Sequence, residues 1–384
     1  MHEEPIFFIM KTAFKMTLAA AAAALAMTSV QAASVSLYGS ISTGVVVTGT
    51  DKLTTAGAVD QDRTTTTSME NAWYGDSIWG LTGEEELGNG WKVGFTLENS
   101  YESDTGALDG DLFGSQAYLK VTNDVVTVAA GNIGALDSAG GDFDLVGGFD
   151  PLEAAFGVGG MGAFATRDAT YTNAFVLSVA PVDGLTVSAM GSFGDKDSTY
   201  EWDKNDHYYA LGALYENGPL AVGLTGSMNV YDAAKQEAGA KAPDNSYAVT
   251  FGASWDFEVV KPMFMYQHTD KNQAFQDVPF EKGIKTDSFL LGATAPLGNG
   301  SLMASAQYLK ITEKTSGDDG KAFILGVAYA YNFSERTALY MGATYAQGSD
   351  GLDKDLSATD PQAFKDFRGT YNGYQFGVGL NHTF

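Results

Sequence analysis

The sequence predicts an all-β protein, a transmembrane antiparallel β-barrel of 16 strands. Three observations predict it. The final residues alternate apolar and polar side chains, the N-terminal residues have the pattern of an export signal, and short turns alternate with long polar connections along the chain. Barrel strands alternate in this way because one face meets lipid while the other meets the lumen.

The clearest amphipathic strand lies at residues 374–384. Its apolar face carries Tyr374, Phe376, Val378, Leu380, His382 and Phe384, and its other face carries Gln375, Gly377, Gly379, Asn381 and Thr383. Successive strand side chains point to opposite faces, so this segment lies between an apolar and a polar environment. Its length is sufficient for a tilted strand to cross a bilayer. The edge strand of a soluble sandwich is an alternative that this segment alone leaves open.

The N-terminal residues predict export. Lys11 and Lys15 precede an apolar stretch at residues 18–27, and Val30-Gln31-Ala32 forms a small-x-small cleavage site. The stretch is shorter than the about 20 residues that a spanning helix needs. A cleaved signal peptide is therefore favoured over an uncleaved anchor.

We expect residues 1–32 to be the signal peptide and residues 33–384 to be the β-barrel domain. Met10 is the expected start, because two acidic residues lie in the segment before it, where a signal is normally basic. Removal of the signal leaves 352 residues, and the net charge stays at −25 because the signal contains two acidic and two basic residues.

The composition excludes several classes of protein. A net charge of −25 disfavours nucleic acid as a partner, because phosphate binding depends on Lys and Arg. The absence of cysteine argues against a small disulfide scaffold. After the signal there is no long apolar run, which excludes a helical membrane protein but leaves a membrane barrel open. We expect no cofactor and no metal.

Sixteen alternating segments are present after the signal. They lie at residues 35–48, 72–87, 91–101, 112–121, 125–133, 170–180, 185–193, 207–216, 220–230, 247–257, 259–268, 288–296, 302–311, 322–332, 337–346 and 373–384. To close the barrel, the last segment must pair with the first, so that no strand edge is left unpaired in lipid.

The connections between these segments alternate in length. Short turns lie at Gly88-Asn89-Gly90, Thr122-Asn123-Asp124, 181–184, Asn217-Gly218-Pro219, 256–258, Gly298-Asn299-Gly300 and 332–335, with long polar connections between them. Short turns on one side and long loops on the other are typical of a transmembrane barrel. A sandwich has no reason to sort its loops in this way, and a propeller would need a fixed-period repeat that the sequence lacks.

Several motifs resemble the general porins of beta-proteobacteria, a family of sixteen-stranded trimers. Residues 34–39 read Ser-Val-Ser-Leu-Tyr-Gly, like the family's mature N-terminus, and residues 77–90 resemble its Ser-Arg-Trp/Phe-Gly-Leu-x-Gly-Ser-Glu-Asp-Leu-Gly-x-Gly hairpin. Residues 95–98 and 112–118 continue the same pattern. The resemblance implies a Gram-negative outer-membrane location and a water-filled channel for passive diffusion of small hydrophilic solutes and ions.

The resemblance also implies that the third long connection, at about residues 134–168, folds into the pore and narrows it. This segment has no Lys or Arg before Arg167, and residues 149–153 are the candidate for its inward tip. Its acidic residues are Asp137, Asp142, Asp144, Asp150 and Glu153. Ordinary solvated loop residues are an alternative reading for about half of them.

The family places arginines on the wall facing this loop, and this chain departs from that pattern. The corresponding positions hold Ile78, Ser115 and Asn132. Strand parity places Lys92 and Glu98 toward the lumen, and Arg167 is the remaining basic candidate near the loop. Because charges in a narrow pore set its ion selectivity, these substitutions predict a cation-preferring or weakly selective channel.

The resemblance implies further partners. These are outer-membrane lipid and lipopolysaccharide, two further copies of the chain in a homotrimer, and the barrel-assembly machinery, for which Phe384 would be the assembly signal.

Two other functions remain open. An outer-membrane enzyme of the lipase or protease type would need a base touching a nucleophile, yet His207 and His268 lie at loop borders and His382 on an apolar face. The sequence has no Gly-x-Ser-x-Gly elbow or His-Glu-x-x-His pair. A structural adhesin barrel with a blocked lumen is the other alternative, although the inward Gly377, Gly379 and Asn381 suit water better than a filled core.

Overall fold

The fold of the chain was obtained as a computed structural model. It describes residues 34–50, 64–166, 169–194, 205–231, 243–273, 283–314, 319–349 and 372–384. The predicted signal peptide and Arg167 lie outside these ranges. Within them, no helix is long and apolar enough to cross a membrane.

Eighteen strands form a single antiparallel sheet. The strands are β1 (Ser34–Thr50), β2 (Thr64–Asn71), β3 (Ile78–Gly88), β4 (Trp91–Tyr101), β5 (Leu108–Asp109), β6 (Gln116–Thr122), β7 (Val126–Gly134), β8 (Thr170–Val182), β9 (Leu185–Ser192), β10 (His207–Asn217), β11 (Leu220–Val230), β12 (Ser246–Trp255), β13 (Lys261–Asn272), β14 (Ile284–Leu297), β15 (Gly300–Glu313), β16 (Asp319–Ser334), β17 (Thr337–Ser349) and β18 (Asn372–Thr383).

The sheet closes into a barrel of 16 strands, which confirms the predicted fold class. The other two strands, β2 and β5, are short additions that pair with the ends of β1 and β4. Closure occurs where β1 pairs with β18, from Ser40 opposite Thr383 to Thr50 opposite Gly373. Closure removes the unpaired edge that lipid would not tolerate.

Most predicted segments coincide with strands to within three residues at their starts, but two begin at least four residues too early and the segment predicted from residue 288 begins four residues too late. The segment predicted from residue 72 starts as a strand only at Ile78, because Ala72 adopts a φ of +50° and breaks the strand. The segment predicted from residue 112 starts at Gln116, and Phe113 has a φ of +58°. β2 is not among the predicted segments, because its residues are almost all polar and show no alternation.

The connections are sorted as the sequence predicts. The turns joining β3 to β4, β6 to β7, β8 to β9, β10 to β11, β12 to β13, β14 to β15 and β16 to β17 are short, and they all lie at one edge of the barrel, here called the short-turn edge. The opposite edge, the long-loop edge, carries the long connections. The connection from β15 to β16 is an exception, since it contains only residues 314–318.

Part of the inner wall is apolar, which differs from the expected polar lumen. Inward side chains of β13 to β17 include Met265, Leu290, Ile311, Ile324 and Tyr340, all fully buried. They are buried because the connection from β7 to β8, described at residues 135–166 and 169 and called the inner loop below, packs against this wall. The barrel therefore has an internal apolar core along one side.

Candidate functional site

The inner loop follows the barrel wall away from its origin and returns. In the half of the loop that follows β7, the apolar side chains pack against a row of inward glycines. Leu145 lies against Gly212 and Gly223, Phe149 against Gly252, Pro151 against Gly292, Leu152 against Gly326, and Phe156 against Gly342. A β-carbon at any of these glycines would overlap the loop, so the missing side chains create the space that it occupies.

The far end of the loop is fastened to the segment that precedes β3. The backbone N–H of Phe156 donates to the carbonyl of Trp73 at 2.7 Å. The Phe156 ring packs edge-on against Trp73 and stacks on Tyr74, with ring centroids 5.1 Å apart in both pairs. Phe156 also has a φ of +58°, a conformation that is unfavourable for a bulky residue and persists only where the surroundings enforce it.

The returning half of the loop is held by polar side chains of the wall. Ser305 Oγ donates to the carbonyl of Gly159 at 2.8 Å, and the backbone N–H of Ala163 donates to Gln307 Oε1 at 3.0 Å. Further along, Ala165 N–H donates to Gln267 Oε1 at 2.8 Å. Backbone groups that would otherwise be buried without partners are satisfied in this way.

A carboxylate and a tyrosine occupy one row of the opposite wall. Tyr38 of β1, Gly80 of β3, Glu98 of β4 and Gln116 of β6 are direct cross-strand neighbours. Because Gly80 has no side chain, the Tyr38 ring crosses over it, and its hydroxyl donates to Glu98 Oε2 at 2.9 Å. Glu98 is thus held at the inner wall.

A second carboxylate comes to the same place from the inner loop. Tyr118 of β6 donates its hydroxyl to Asp142 Oδ2, and Thr96 Oγ1 donates to the Tyr118 hydroxyl at 3.1 Å. The backbone N–H of Asp142 donates to Gln116 Oε1 at 3.3 Å. Glu98 and Asp142 lie close enough for their charges to repel each other. The wall and the loop therefore each present one tyrosine-bound carboxylate, and we call Glu98 and Asp142 the carboxylate pair.

The other acids of the loop differ in exposure. Asp150 is only 2% exposed, and its carboxylate accepts the N–H groups of Leu152 and Ala154 at 3.1 and 2.8 Å. Asp144 accepts the N–H groups of Val146 and Gly147 in the same manner. Burial raises the pKa of Asp144 to about 6, against the two N–H groups that favour its charged form. Both side chains shape the loop backbone.

Asp137 lies at the root of the loop and is 1% exposed. The hydroxyls of Tyr208 and Ser227 donate to its carboxylate at 3.4 and 3.5 Å, and the Tyr208 ring stacks on Tyr171. Burial raises the pKa of Asp137 to about 6, since these hydrogen bonds only partly replace water. Glu153, in contrast, is exposed and has a φ of +55°.

The three positions where the related family has arginines lie together. Ile78 is the cross-strand neighbour of Ser100, and Ser100 Oγ shares a hydrogen bond of 2.7 Å with Ser115 Oγ. Asn132 Nδ2 donates to the carbonyl of Gly114 at 2.7 Å. Ile78 and Ser115 thus meet at Ser100, two residues along β4 from Glu98, and Asn132 contacts the residue that precedes Ser115.

The tyrosines that hold the carboxylate pair and two inward lysines were not predicted from the sequence. Lys120 of β6 lies beside Gly94 on the inner side, and Lys261 of β13 lines a cavity with Asp144, Glu153 and Glu216. This cavity, of about 690 Å³, lies between the loop and the short-turn edge. Strand parity could have identified both lysines. Lys92 lies near the short-turn edge, where its Nζ is 2.7 Å from Glu84 and 3.3 Å from Glu86.

The described residues contain no group of three or more His, Asp or Glu that could hold a metal ion. His207 Nδ1 lies 3.1 Å from the carbonyl of Ser192, and His268 Nδ1 lies 2.7 Å from Asp287 on the outer face. His382 Nδ1 lies 2.9 Å from the hydroxyl of Thr337, also on the outer face.

The chain is similar to known proteins along most of its length, and these relatives are all described as porins. A family model described as Gram-negative porin matches residues 17–351. An outer membrane porin of Bordetella pertussis is 30% identical, with 91% of this chain and 94% of that protein covered. Outer membrane porin protein 32 of Delftia acidovorans is 28% identical, with 96% and 97% covered.

Solved structures share the fold. The anion-selective porin from Comamonas acidovorans superposes with a TM-score of 0.65 at 24% identity, covering 92% of this chain and 100% of that chain. The trimer form of OmpT, an outer membrane protein of Vibrio cholerae, superposes with a TM-score of 0.61 at 15% identity, again covering 92% and 100%.

Proposed function

Since this chain belongs to the Gram-negative porin family and is an outer-membrane channel rather than an enzyme, we propose that its pore prefers cations. The observation that carries this proposal is the carboxylate pair, Glu98 on the wall and Asp142 on the inner loop. Two negative charges at one level of a passage attract cations and repel anions, and the low-dielectric wall strengthens the effect.

The inward lysines lie at other levels of the pore. Lys120 is four residues along β6 from Gln116, the cross-strand neighbour of Glu98, which corresponds to about 13 Å. That distance exceeds the Debye length of about 8 Å at physiological salt, so Lys120 offsets the pair only weakly. Lys92 is farther away, and its charge is balanced by Glu84 and Glu86. Lys261 lies among the acidic residues Asp144, Glu153 and Glu216.

A related structure has the opposite preference. The Comamonas acidovorans porin is anion-selective, so the same fold is compatible with selectivity for anions. Because fixed charges in a narrow pore set its ion selectivity, we attribute the sign of the preference to the side chains at the narrow level of the pore. In this chain Ile78, Ser115 and Asn132 supply no positive charge beside the carboxylate pair.

The reversal potential across a tenfold KCl gradient in a planar bilayer tests this proposal. We expect the sign that corresponds to cation preference for the native channel. The double substitution Glu98→Gln and Asp142→Asn should move the potential toward zero or past it. Glu85→Gln is the matched control, because it removes a carboxylate whose strand position faces outward. An anion-directed potential in the native channel would overturn the proposal.

Assembly as a homotrimer is a further part of the proposed function. Its support is the trimer form of the Vibrio cholerae structure, which shares this fold. Native mass spectrometry of protein extracted from outer membranes in mild detergent should give three copies of the chain, and a monomer alone would contradict this.

Export of the chain and its insertion into the outer membrane are also part of the proposed function. We propose that residues 1–32 are removed, that barrel-assembly machinery inserts the chain, and that lipopolysaccharide surrounds the inserted barrel. N-terminal sequencing of the mature protein should begin at Ala33. A mature protein that keeps residues 18–27 would contradict the first step.

A further inference from the structure

The outer face of β12 to β16 is arranged in level rows of side chains. An apolar row runs through Ala253, Phe264, Leu291, Ala306 and Leu325. The next row toward the long-loop edge consists of the aromatic residues Phe251, Tyr266, Phe289, Tyr308 and Phe323. Each member of a row is the direct cross-strand neighbour of the next.

The following row is charged. It contains Val249, His268, Asp287, Lys310 and Lys321, again in direct register. Lys285 and Asp319 lie one row beyond. The surface therefore changes from apolar through aromatic to charged within about 14 Å, which corresponds to two row spacings along a strand.

The order of the apolar, aromatic and charged rows indicates where the membrane boundary lies along these strands. Aromatic girdles mark both interfaces of a transmembrane barrel, and the apolar band between them is about 25 Å tall. On β16 the two aromatic ends, Phe323 and Phe333, are ten residues apart, which for a tilted strand is also about 25 Å. The charged row hence lies at the level of the lipid head groups on the side of the long loops, which is the extracellular side in transmembrane barrels.

Lysines are concentrated here in a chain whose net charge is −25. Lys285, Lys310 and Lys321 all face outward, and they lie on three consecutive strands. Lys310 and Lys321 are direct cross-strand neighbours, an arrangement in which like charges repel. Acids near them include Asp287, which accepts a hydrogen bond from Tyr266 and lies against His268, and Asp319, 3.9 Å from Lys310 Nζ.

We propose that this lysine patch, Lys285, Lys310 and Lys321, binds the phosphorylated head group of the outer-leaflet glycolipid, lipopolysaccharide. A phosphate between Lys310 and Lys321 relieves their mutual repulsion, and the aromatic row below offers a surface for the acyl chains. The inference rests on the outer-membrane location and identifies where the lipid partner of the proposed function is held. It is independent of the ion selectivity.

The experiment uses the full-length mature protein, refolded without lipid in detergent and titrated with purified bis-phosphorylated lipid A. Bound lipid is counted by native mass spectrometry. The double substitution Lys310→Gln and Lys321→Gln should weaken binding about 25-fold, because each lysine near an anionic lipid surface contributes about fivefold. Lys310→Arg with Lys321→Arg should retain binding, and so should Arg336→Gln at the short-turn edge. If the double variant does not fold, the single variant Lys321→Gln takes its place, and its affinity for the lipid should be about fivefold lower than that of the native protein.

Several outcomes would overturn the proposal. One is equal binding of dephosphorylated lipid A to the native protein, and another is undiminished binding to the glutamine variant. If inorganic phosphate displaces the lipid at a concentration below about 1 mM, the patch is a site for free phosphate and not for the lipid. A variant that loses its oligomeric state while it still binds lipid would assign the patch to a subunit contact. The reversal potential of the glutamine variant should stay native, so failure here is distinguishable from failure of the selectivity proposal.

Discussion

Tyr38 holds Glu98 from two strands away: its ring crosses Gly80, and its hydroxyl donates to the carboxylate at 2.9 Å. The first strand of the barrel thereby positions a charge on β4. Fixed charge at a narrow level of a pore acts on every ion that passes, whereas a mobile side chain is averaged over many positions.

Replacing Tyr38 tests that positioning. Tyr38→Phe removes the hydroxyl and keeps the ring, so Glu98 remains charged but loses a hydrogen bond of about 1.5 to 3 kcal/mol. We expect the cation preference, measured as the reversal potential, to fall by less than it does in Glu98→Gln. Tyr101→Phe is the matched control, because the Tyr101 hydroxyl donates to the backbone carbonyl of Ser40. Equal effects of the two tyrosine substitutions would contradict the specific role of Tyr38.

Gly80 is required for the same contact. A β-carbon there would lie 2.6 Å from the Tyr38 ring and 2.9 Å from the carbonyl oxygen of Leu97. Gly80→Ala should therefore displace Tyr38, lower the unfolding temperature through a cost of about 1 to 3 kcal/mol, and reduce cation preference. Gly226→Ala on β11, where a β-carbon meets nothing within 4 Å, should do neither.

Phe156 fastens the far end of the inner loop. Phe156→Ala removes a fully buried ring that contacts Trp73, Tyr74 and Tyr340, at a cost of about 3 to 5 kcal/mol. We expect increased current noise and faster proteolysis within residues 135–166. Phe333→Ala, at an exposed position on the outer face, is the control. A quiet channel with a protected loop in Phe156→Ala would show that the polar contacts of Ser305, Gln307 and Gln267 suffice.

The loop should be held more firmly in acid. Burial raises the pKa of Asp137 from 3.8 to about 6, so its stabilising contribution is complete below pH 3.8 and is lost as the pH rises through 6. Asp144 shifts in the same direction. Hydrogen exchange of residues 135–166 should therefore be slower at pH 5 than at pH 7.5, after correction for intrinsic rates. Asp137→Asn should reduce this difference, and an unchanged difference would contradict the assignment.

Phe384 closes the barrel seam next to β1. Its N–H donates to the carbonyl of Gly39 at 2.9 Å, the Gly39 N–H donates back at 3.2 Å, and its ring lies over Gly39. Deleting Phe384 removes all three contacts, whereas Phe384→Ala keeps the backbone pair. We expect outer-membrane yield to fall most in the deletion, with unchanged single-channel conductance in the molecules that insert. Normal yield of the deletion would exclude Phe384 as an assembly signal.

Much of the barrel was predictable because strand structure is local. The bounds of β4 and β11 match the predicted segments, and the pairing of the last strand with the first follows from the need to leave no edge in lipid. The inward position of Glu98 follows from strand parity alone. The sequence could not reveal β2, since a polar strand has no alternation to detect.

The two members of the carboxylate pair were harder to predict from the sequence. The sequence indicated that the inner loop is acidic, but it could not distinguish the buried Asp137 and Asp150 from Asp142, which reaches Tyr118 on the wall. That difference depends on contacts between residues far apart in the chain. The sequence by itself determined the barrel, its membrane location and its sorted loops, because alternation and turn chemistry act over a few residues. Only the tertiary structure decided which acidic side chains of the inner loop are buried and which reach the facing wall, because the row of inward glycines fixes the path of the loop by packing across the whole barrel.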